Sequence, residues 1–336
     1  MDIFINKSQW SNFTPVQMLD FEQSIFNYYK TKGFPYFDLS PEERQKIFNK
    51  LINFNSSSLS KENNILSQNM LGLNLANYYM PHIWETRSGK FLTPIEVFTD
   101  DDKFRAAIKK RIKLGDNISD AGIRKILSMF SGAHKVSNFR PTIAKYIYDN
   151  YSGAGNVLDF SAGFGGRLLG ALSSNKVKNY WGYEPSSKTH YNLWEIIKEF
   201  NKDDEYKYHF FIDYCPFEDS NLTNGVYDLA FSSPPYFNLE KYSDEDTQSY
   251  LRYPTKDLWK DKFLKILIEK CYLYLKQGGY FIINIANVKS YPNLEQDTLD
   301  LAQKAGFILK KTYKMQLSNL MKKDFKYEPI FVFKKV

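Results

Sequence analysis

From about residue 138 to the end of the chain, short apolar runs alternate with helical stretches, and this alternation sets the fold class. The runs are Asn156–Phe160, Tyr180–Glu184, His209–Asp213, Tyr227–Ser232, Gly279–Val288, Phe307–Leu317 and Ile330–Lys335, and the clearest helix between them is Leu258–Leu275. Strands separated by helices build an α/β protein, a mostly parallel sheet covered on both faces. The last two runs are joined by a short Lys-rich link with no room for a helix. They are predicted to form an antiparallel hairpin at one edge.

The first third has a different pattern. Thr14-Pro15-Val16-Gln17 and Ser40-Pro41-Glu42-Glu43 are capping boxes with proline at the first helical position, and predict helices over roughly 15–31 and 41–53. Asp102–Leu114 has helical apolar spacing and stops at Gly115. Asn117-Ile118-Ser119 caps a helix over Asp120–Phe130, while the polar stretch 53–64 is predicted to be a loop. The expected organisation is a mostly helical region over 1–137 and the α/β domain over 138–336.

The 336-residue chain carries a formal charge of +7, and ten Lys/Arg against two Asp fall between Lys103 and Arg140. That excess favours a polyanionic partner. The 27 Phe and 25 Tyr can fill a core or stack on bases. Two cysteines and four scattered histidines give neither a disulfide framework nor metal-ligand spacing. With no long apolar run and no signal-peptide pattern, a metal-free cytoplasmic protein is expected.

Strand Asn156–Phe160 runs into Ser161-Ala162-Gly163-Phe164-Gly165-Gly166, and a helix begins at Arg167. Such a turn brings backbone close to a ligand and aims helix N–H groups at it. It lacks the Lys-Ser/Thr of a nucleotide-triphosphate loop. The next strand ends at Glu184, 25 positions after Asp159, where an acid can accept both ribose hydroxyls of a nucleoside. After the third strand, Phe217 is expected to lie against an adenine ring, with an acid such as Glu218 hydrogen-bonding it. The bland alternatives are an ordinary turn and an ordinary exposed glutamate.

The fourth strand ends abruptly in Ser233-Pro234-Pro235-Tyr236. Two consecutive prolines cannot continue a ladder, so nearby carbonyls are left over the carboxyl ends of the strands, where such sheets bind ligands. This suits transfer of a sulfonium methyl to an exocyclic amine, a poor nucleophile whose lone pair is delocalised into the ring. The Ser233 hydroxyl and Pro234 carbonyl would hold its hydrogens and stabilise the charge developing on nitrogen, while Tyr236 stacks on a base flipped out of its helix. The alternative is a rigid Pro-Pro loop of purely structural use.

With these motifs in this order, residues 138–336 resemble the S-adenosyl-L-methionine-dependent amino-methyltransferases of restriction–modification systems and phages, which methylate adenine N6 or cytosine N4. The resemblance implies a Rossmann-like seven-stranded methyltransferase sheet with a terminal antiparallel hairpin. It implies catalysis by Ser233, Pro234, Pro235 and Tyr236, and cofactor binding by Asp159, Ser161, Ala162, Gly163, Gly165 and Glu184. Asn138-Phe139-Arg140-Pro141-Thr142 is similar to the segment that closes over the methionine end of the cofactor, which adds Arg140 and Thr142. Serine at the first motif position favours cytosine N4 over adenine N6. The 66 residues from Arg167 to Ser232 and the 100 from Phe237 to Val336 leave no space for a separate target-recognition domain. A sequence reader would therefore sit mainly in the first third.

Lys109, Lys110, Arg111, Arg124 and Lys125 are candidate phosphate contacts, on two helices that loosely suggest a helix-turn-helix; a solvated basic face is the alternative. The long polar connection Phe237–Asp257 is expected to order over the flipped base, with Tyr242, Gln248 or Ser249 in contact. The expected partner is DNA, with RNA next. An inactive nucleic-acid-binding subunit is a further alternative, and the basic surplus argues against a protein substrate.

Overall fold

The structure is a computed structural model that describes residues 4–201, 209–319 and 325–336. The chain divides into two compact units, Met1–Asp38 with Pro81–Ser137, and Leu39–Met80 with Asn138–Val336.

The larger unit is built on one sheet. Its strands are β1 (Ser60–Lys61), β2 (Ile65–Leu66), β3 (Asn156–Asp159), β4 (Asn179–Tyr183), β5 (His209–Asp213), β6 (Tyr227–Ser232), β7 (Leu275–Asn284), β8 (Phe307–Asn319) and β9 (Phe325–Lys335). They lie in the order β1-β2-β8-β9-β7-β6-β3-β4-β5. β5, β4, β3, β6 and β7 run parallel, and β9 is inserted antiparallel between β7 and β8. The order reverses between β3 and β6, which places a crevice at their carboxyl ends. Seven long strands in this order, wound with intervening helices, define a Rossmann-like methyltransferase fold. The helices that frame the crevice are α1 (Pro141–Tyr151), α2 (Gly166–Leu172), α3 (Ser187–Phe200), α4 (Lys265–Tyr274) and α5 (Leu294–Lys304).

The strands are central because they are apolar throughout. Val157, Leu158, Leu229, Ala230, Phe231, Phe281, Ile282 and Ile283 are buried, and on one face of the sheet Leu158, Ala230, Phe281 and Ile283 pack with Trp259, Leu264, Leu267, Ile268 and Cys271 from the helical stretch around α4.

Three expectations change. The hairpin is formed, but its outer strand β8 pairs in parallel with β2, so the hairpin is not the sheet's edge. The Lys-rich link at 320–324 lies outside the described residues. The predicted loop 53–64 holds two 3-10 turns, Ser56–Leu59 and Glu62–Asn64, flanking β1. Finally, Leu39–Met80 belongs with the sheet rather than with the rest of the first third. Phe48 packs on Phe200 with ring centroids 4.2 Å apart, and Arg44 binds the Glu199 carboxylate at 2.9 Å. The helix Pro41–Ile52 that carries Phe48 and Arg44 begins with the predicted reciprocal cap.

The smaller unit is helical: Pro15–Lys32, Pro94–Thr99, Asp101–Lys113 and Asp120–Ser128, with a short antiparallel pairing of Phe4–Ile5 and Ile118–Ser119. Phe26, Tyr29, Phe104, Ile108, Ile112, Ile123 and Leu127 form its core. No described helix is long and apolar enough to cross a membrane.

Candidate active site

Asp159 ends β3 with its side chain fully buried. Its Oδ2 accepts from Arg167 Nε at 2.9 Å and from the Tyr180 hydroxyl at 2.7 Å, and its Oδ1 accepts from the Ser232 hydroxyl at 2.7 Å. Arg167, the second residue of α2, also donates to the Ser161 carbonyl, so one ion pair spans the whole glycine turn. Burial opposes its charge, but the Asp159 carboxylate outweighs that and holds the guanidinium pKa above its usual value. Asp159 therefore positions the turn; it is not a direct cofactor contact as expected.

Within the turn, Gly163 and Gly165 have φ of 59° and 78°, the left-handed region that favours glycine. A Cβ on Gly166 would lie 1.8 Å from the Phe139 carbonyl, so the segment before α1 crosses directly over the start of α2. Ala162 N–H donates to the Tyr183 carbonyl at 2.8 Å, and the Ser161 hydroxyl to its neighbour's carbonyl at 2.6 Å.

Glu184 lies just past β4. It accepts Gly163 N–H and Ser186 N–H, each at 2.9 Å, and so faces the glycine turn. Burial pushes its carboxyl up to about 7, against those two N–H groups.

Other expected cofactor contacts are placed differently. Phe217 is 2% exposed and packs edge-on against Tyr183 and Tyr274, which makes it a core residue and not an adenine platform. Glu218 is held by Arg252 at 2.9 Å. Arg140 donates to the Gln316 and Leu317 carbonyls of β8, and the buried Thr142 hydroxyl to the Asn69 carbonyl at 3.2 Å. Neither side chain is bonded to the glycine turn. Asn138 is, through its amide donating to the Phe164 carbonyl at 2.8 Å.

At the tip of β6 the tetrapeptide turns out of the sheet. Pro234 is buried, Ser233, Pro235 and Tyr236 are half-buried, and Phe237 follows with φ 56°, unusual for a bulky residue. Phe237 is anchored in the core against Trp259 and Tyr291, which holds this strained turn in place. The Ser233 hydroxyl donates to Asn284 Oδ1 at 3.2 Å. The Tyr236 hydroxyl lies 3.2 Å from the same oxygen and 3.1 Å from Glu328 Oε2. Asn284 Nδ2 donates to the Pro329 carbonyl at 2.9 Å, which fixes the amide with its oxygen toward the tetrapeptide. Burial raises the Glu328 carboxyl, opposed by its bonds to Tyr236 and Asn284. Nearby Glu240 is pushed up by burial to about 7 and accepts from Tyr242, whose ring meets Phe164 edge-on at 5.5 Å.

Sequence reasoning missed Asn284, Glu328 as a side chain, Arg167, Ser232 and Arg252. Asn284 had a visible signal, a single amide inside the apolar run Phe281-Ile282-Ile283-Asn284-Ile285.

The connection after the tetrapeptide is ordered, and it crosses the tips of β4 and β5. Glu245 accepts from Ser187 N–H at 3.1 Å, Thr247 donates to the Pro185 carbonyl at 2.8 Å, and Arg252 reaches Glu218. Gln248 within it is 4% exposed, and its amide nitrogen has no hydrogen-bond partner among the described residues. A nucleoside cofactor fits these residues. They offer a glycine turn and an acid at the second strand tip.

In the smaller unit Lys109, Lys110 and Lys125 are exposed. Arg111 is not: it is 8% exposed and bound to Asp116 at 2.6 Å and to the Asn117 carbonyl at 2.8 Å, so it is a structural residue. Arg124 lies over the Phe37 ring at 4.1 Å and donates to the Pro35 carbonyl at 2.8 Å, bracing that turn.

No family model and no curated protein matches the chain in sequence. Among solved structures it is similar to a Thermotoga maritima S-adenosylmethionine-dependent O-methyltransferase (14% identity, 60% of this chain and 68% of that one, TM-score 0.40). It is also similar to the Synechocystis magnesium protoporphyrin IX methyltransferase with its cofactor bound (15%, 58% and 77%, 0.39). A third is the Aquifex aeolicus tRNA (m1A58) methyltransferase (14%, 60% and 71%, 0.40). At these TM-scores the likeness adds nothing to what the strand order defines.

Proposed function

We propose that this chain transfers a methyl group from S-adenosylmethionine to the exocyclic amino nitrogen of a DNA base, cytosine N4 ahead of adenine N6. The observation that carries the reading is the convergence of Ser233 and Tyr236 on the Asn284 oxygen, on a strand tip tied to the glycine turn through Ser232 and Asp159.

When bound, the cofactor supplies an electrophilic methyl on a sulfonium. The turn at 161–166 and the Glu184 carboxylate would hold it at the β3 and β4 tips. Because the Ser233 hydrogen points to Asn284, the lone pairs of its oxygen can accept an N–H of the target amine. The Pro234 carbonyl can take the second hydrogen. Two acceptors on one NH₂ group draw the nitrogen lone pair out of conjugation and favour the positive charge that develops on it. Tyr236 offers its ring to an extruded base, with its hydroxyl anchored on Asn284 or Glu328. Among candidate contacts in the smaller unit, the exposed Lys109, Lys110 and Lys125 have the chemistry to bind phosphates.

The test is to incubate the protein with methyl-labelled cofactor and duplex DNA, single-stranded DNA or RNA, then digest and identify the labelled nucleoside. N4-methylcytosine or N6-methyladenine from DNA supports the proposal. Label in RNA alone replaces DNA with RNA as substrate. No labelled nucleoside from any of the three overturns it.

A further inference from the structure

The β8–β9 hairpin does not stop where the rest of the sheet does. β7 ends at Asn284, opposite Ile330, so residues 325–329 of β9 pair with β8 alone, from Pro329 opposite Lys314 out to Phe325 opposite Asn319. On its other edge β8 is paired with β2 only as far as Met315. At about 3.4 Å per residue, a two-stranded ribbon projects about 17 Å past the last pair with β7, beyond the carboxyl ends of the parallel strands.

The ribbon is fixed where it leaves the sheet. Leu317 is an extra residue in β8 between the pairs Gln316–Tyr327 and Ser318–Lys326, a bulge that bends the strand. The buried Arg140 donates to the carbonyls of both Gln316 and Leu317 and so holds the bend. Glu328, in the first part of the ribbon, lies 3.1 Å from the Tyr236 hydroxyl. The projection therefore starts beside the proline tetrapeptide.

Its outer part is basic and aromatic. Lys326 shares a face with Glu328, while Tyr327 and Lys314 share the opposite one. Lys314 Nζ lies 5.2 Å from the centre of the exposed Tyr327 ring, which packs on Phe325 at 6.0 Å. Lys314 and Lys326 are exposed, and among the described residues neither has a carboxylate partner. Unpaired cations on both faces, with an exposed ring between them, suit a polyanion. The major groove of duplex DNA, about 12 Å wide, admits a two-stranded ribbon.

We infer that the projecting part of the β8–β9 hairpin docks on the target duplex beside the extruded base, with Lys314 and Lys326 on phosphates and Tyr327 packed against the duplex. This rests on the proposed DNA substrate. It puts a duplex contact in the catalytic unit, where the sequence alone placed the reader mainly in the first third.

Fluorescence anisotropy of the full-length protein on a labelled duplex, across a range of salt, tests it. The double variant Lys314→Gln, Lys326→Gln should lower the slope of log affinity against log salt by about 1.8, at about 0.9 per phosphate. Tyr327→Ala should weaken binding by about 5-fold or more at an unchanged slope, because it removes contact and no charge. Affinity for S-adenosylhomocysteine reports that each variant is folded. Acetylation of wild-type lysines, read by mass spectrometry, makes the test independent of the variants. Duplex should protect Lys314 and Lys326 but not the exposed Lys198, where α3 has returned to the amino ends of the strands. A wild-type slope in the double variant, or acetylation of Lys314 and Lys326 as fast with duplex as without, overturns the inference while leaving the proposed reaction standing. Protection by RNA and not by duplex also overturns it. Failure of wild type to bind any DNA overturns the proposed substrate, and this inference with it.

Discussion

The Ser232 hydroxyl donates to the Asp159 carboxylate across 2.7 Å, joining the last residue of β6 to the last residue of β3 inside the core. Between them those two strand ends launch the proline tetrapeptide and the glycine turn. A buried bond therefore couples the placement of one to that of the other, and Phe237 packing on Trp259 and Tyr291 holds the tetrapeptide beyond it.

Asp159 is also the counterion of Arg167, whose side chain is only 4% exposed. Asp159→Asn leaves that guanidinium buried without a charge partner and is expected to destabilise the protein by about 3–5 kcal/mol. Urea unfolding of the ligand-free protein measures this, and the m-value should be unchanged. A variant of wild-type stability that binds the methyl donor more weakly would instead make Asp159 a direct contact.

Glu184 and Glu240 both have carboxyls raised by burial from 4.5 to about 7. Between those pH values the folded protein holds protons that the unfolded chain has released. This contribution to stability is full below pH 4.5 and is lost as pH rises through about 7. Melting temperature against pH should therefore decline across that window, and Glu184→Gln should flatten the decline. Affinity for S-adenosylhomocysteine should run the other way, rising with pH as Glu184 becomes the better acceptor for ribose hydroxyls.

Arg252 reaches back from the connection to Glu218, whose side chain is 4% exposed. Arg252→Ala should free the segment at 240–257 and leave the Glu218 carboxyl higher still. Hydrogen exchange should speed up in that segment by about 10-fold or more while β3 and β6 keep their protection. Unchanged exchange would show that Thr247 and Glu245 suffice to hold it.

Much of the fold was readable from residue order, and the misses have two causes. Strands such as Tyr227–Ser232 stood out because a core strand must be apolar, and the tetrapeptide because two prolines cannot stay in a ladder. Caps at Thr14 and Ser40 fixed their helices. Residue type does not reveal the partner, however. Phe217 has the same ring as a core filler or a stacking platform. Arg111 carries the same charge on a phosphate as against Asp116. Two-residue strands such as Ile65–Leu66 have no periodicity to read, which hid the attachment of Leu39–Met80 to the sheet.

That distinction matters for DNA binding. Replacing Lys109, Lys110 and Lys125 by Gln should reduce the slope of log affinity against log salt by about 0.9 for each phosphate no longer neutralised, with little change in stability. Arg111→Gln should do the reverse, lowering the melting temperature because Asp116 and the Asn117 carbonyl lose their donor. A triple variant with the wild-type slope would remove those lysines from the interface.

In the proposed reaction the Ser233–Tyr236 tip acts on an amine while the glycine turn and Glu184 hold the donor. Ser233→Ala separates these two roles, in single-turnover methyl transfer to DNA measured beside S-adenosylhomocysteine affinity. Transfer should slow by about 100- to 1,000-fold, with affinity within about 2-fold of wild type. Transfer at the wild-type rate, or loss of both together, would contradict that division of roles.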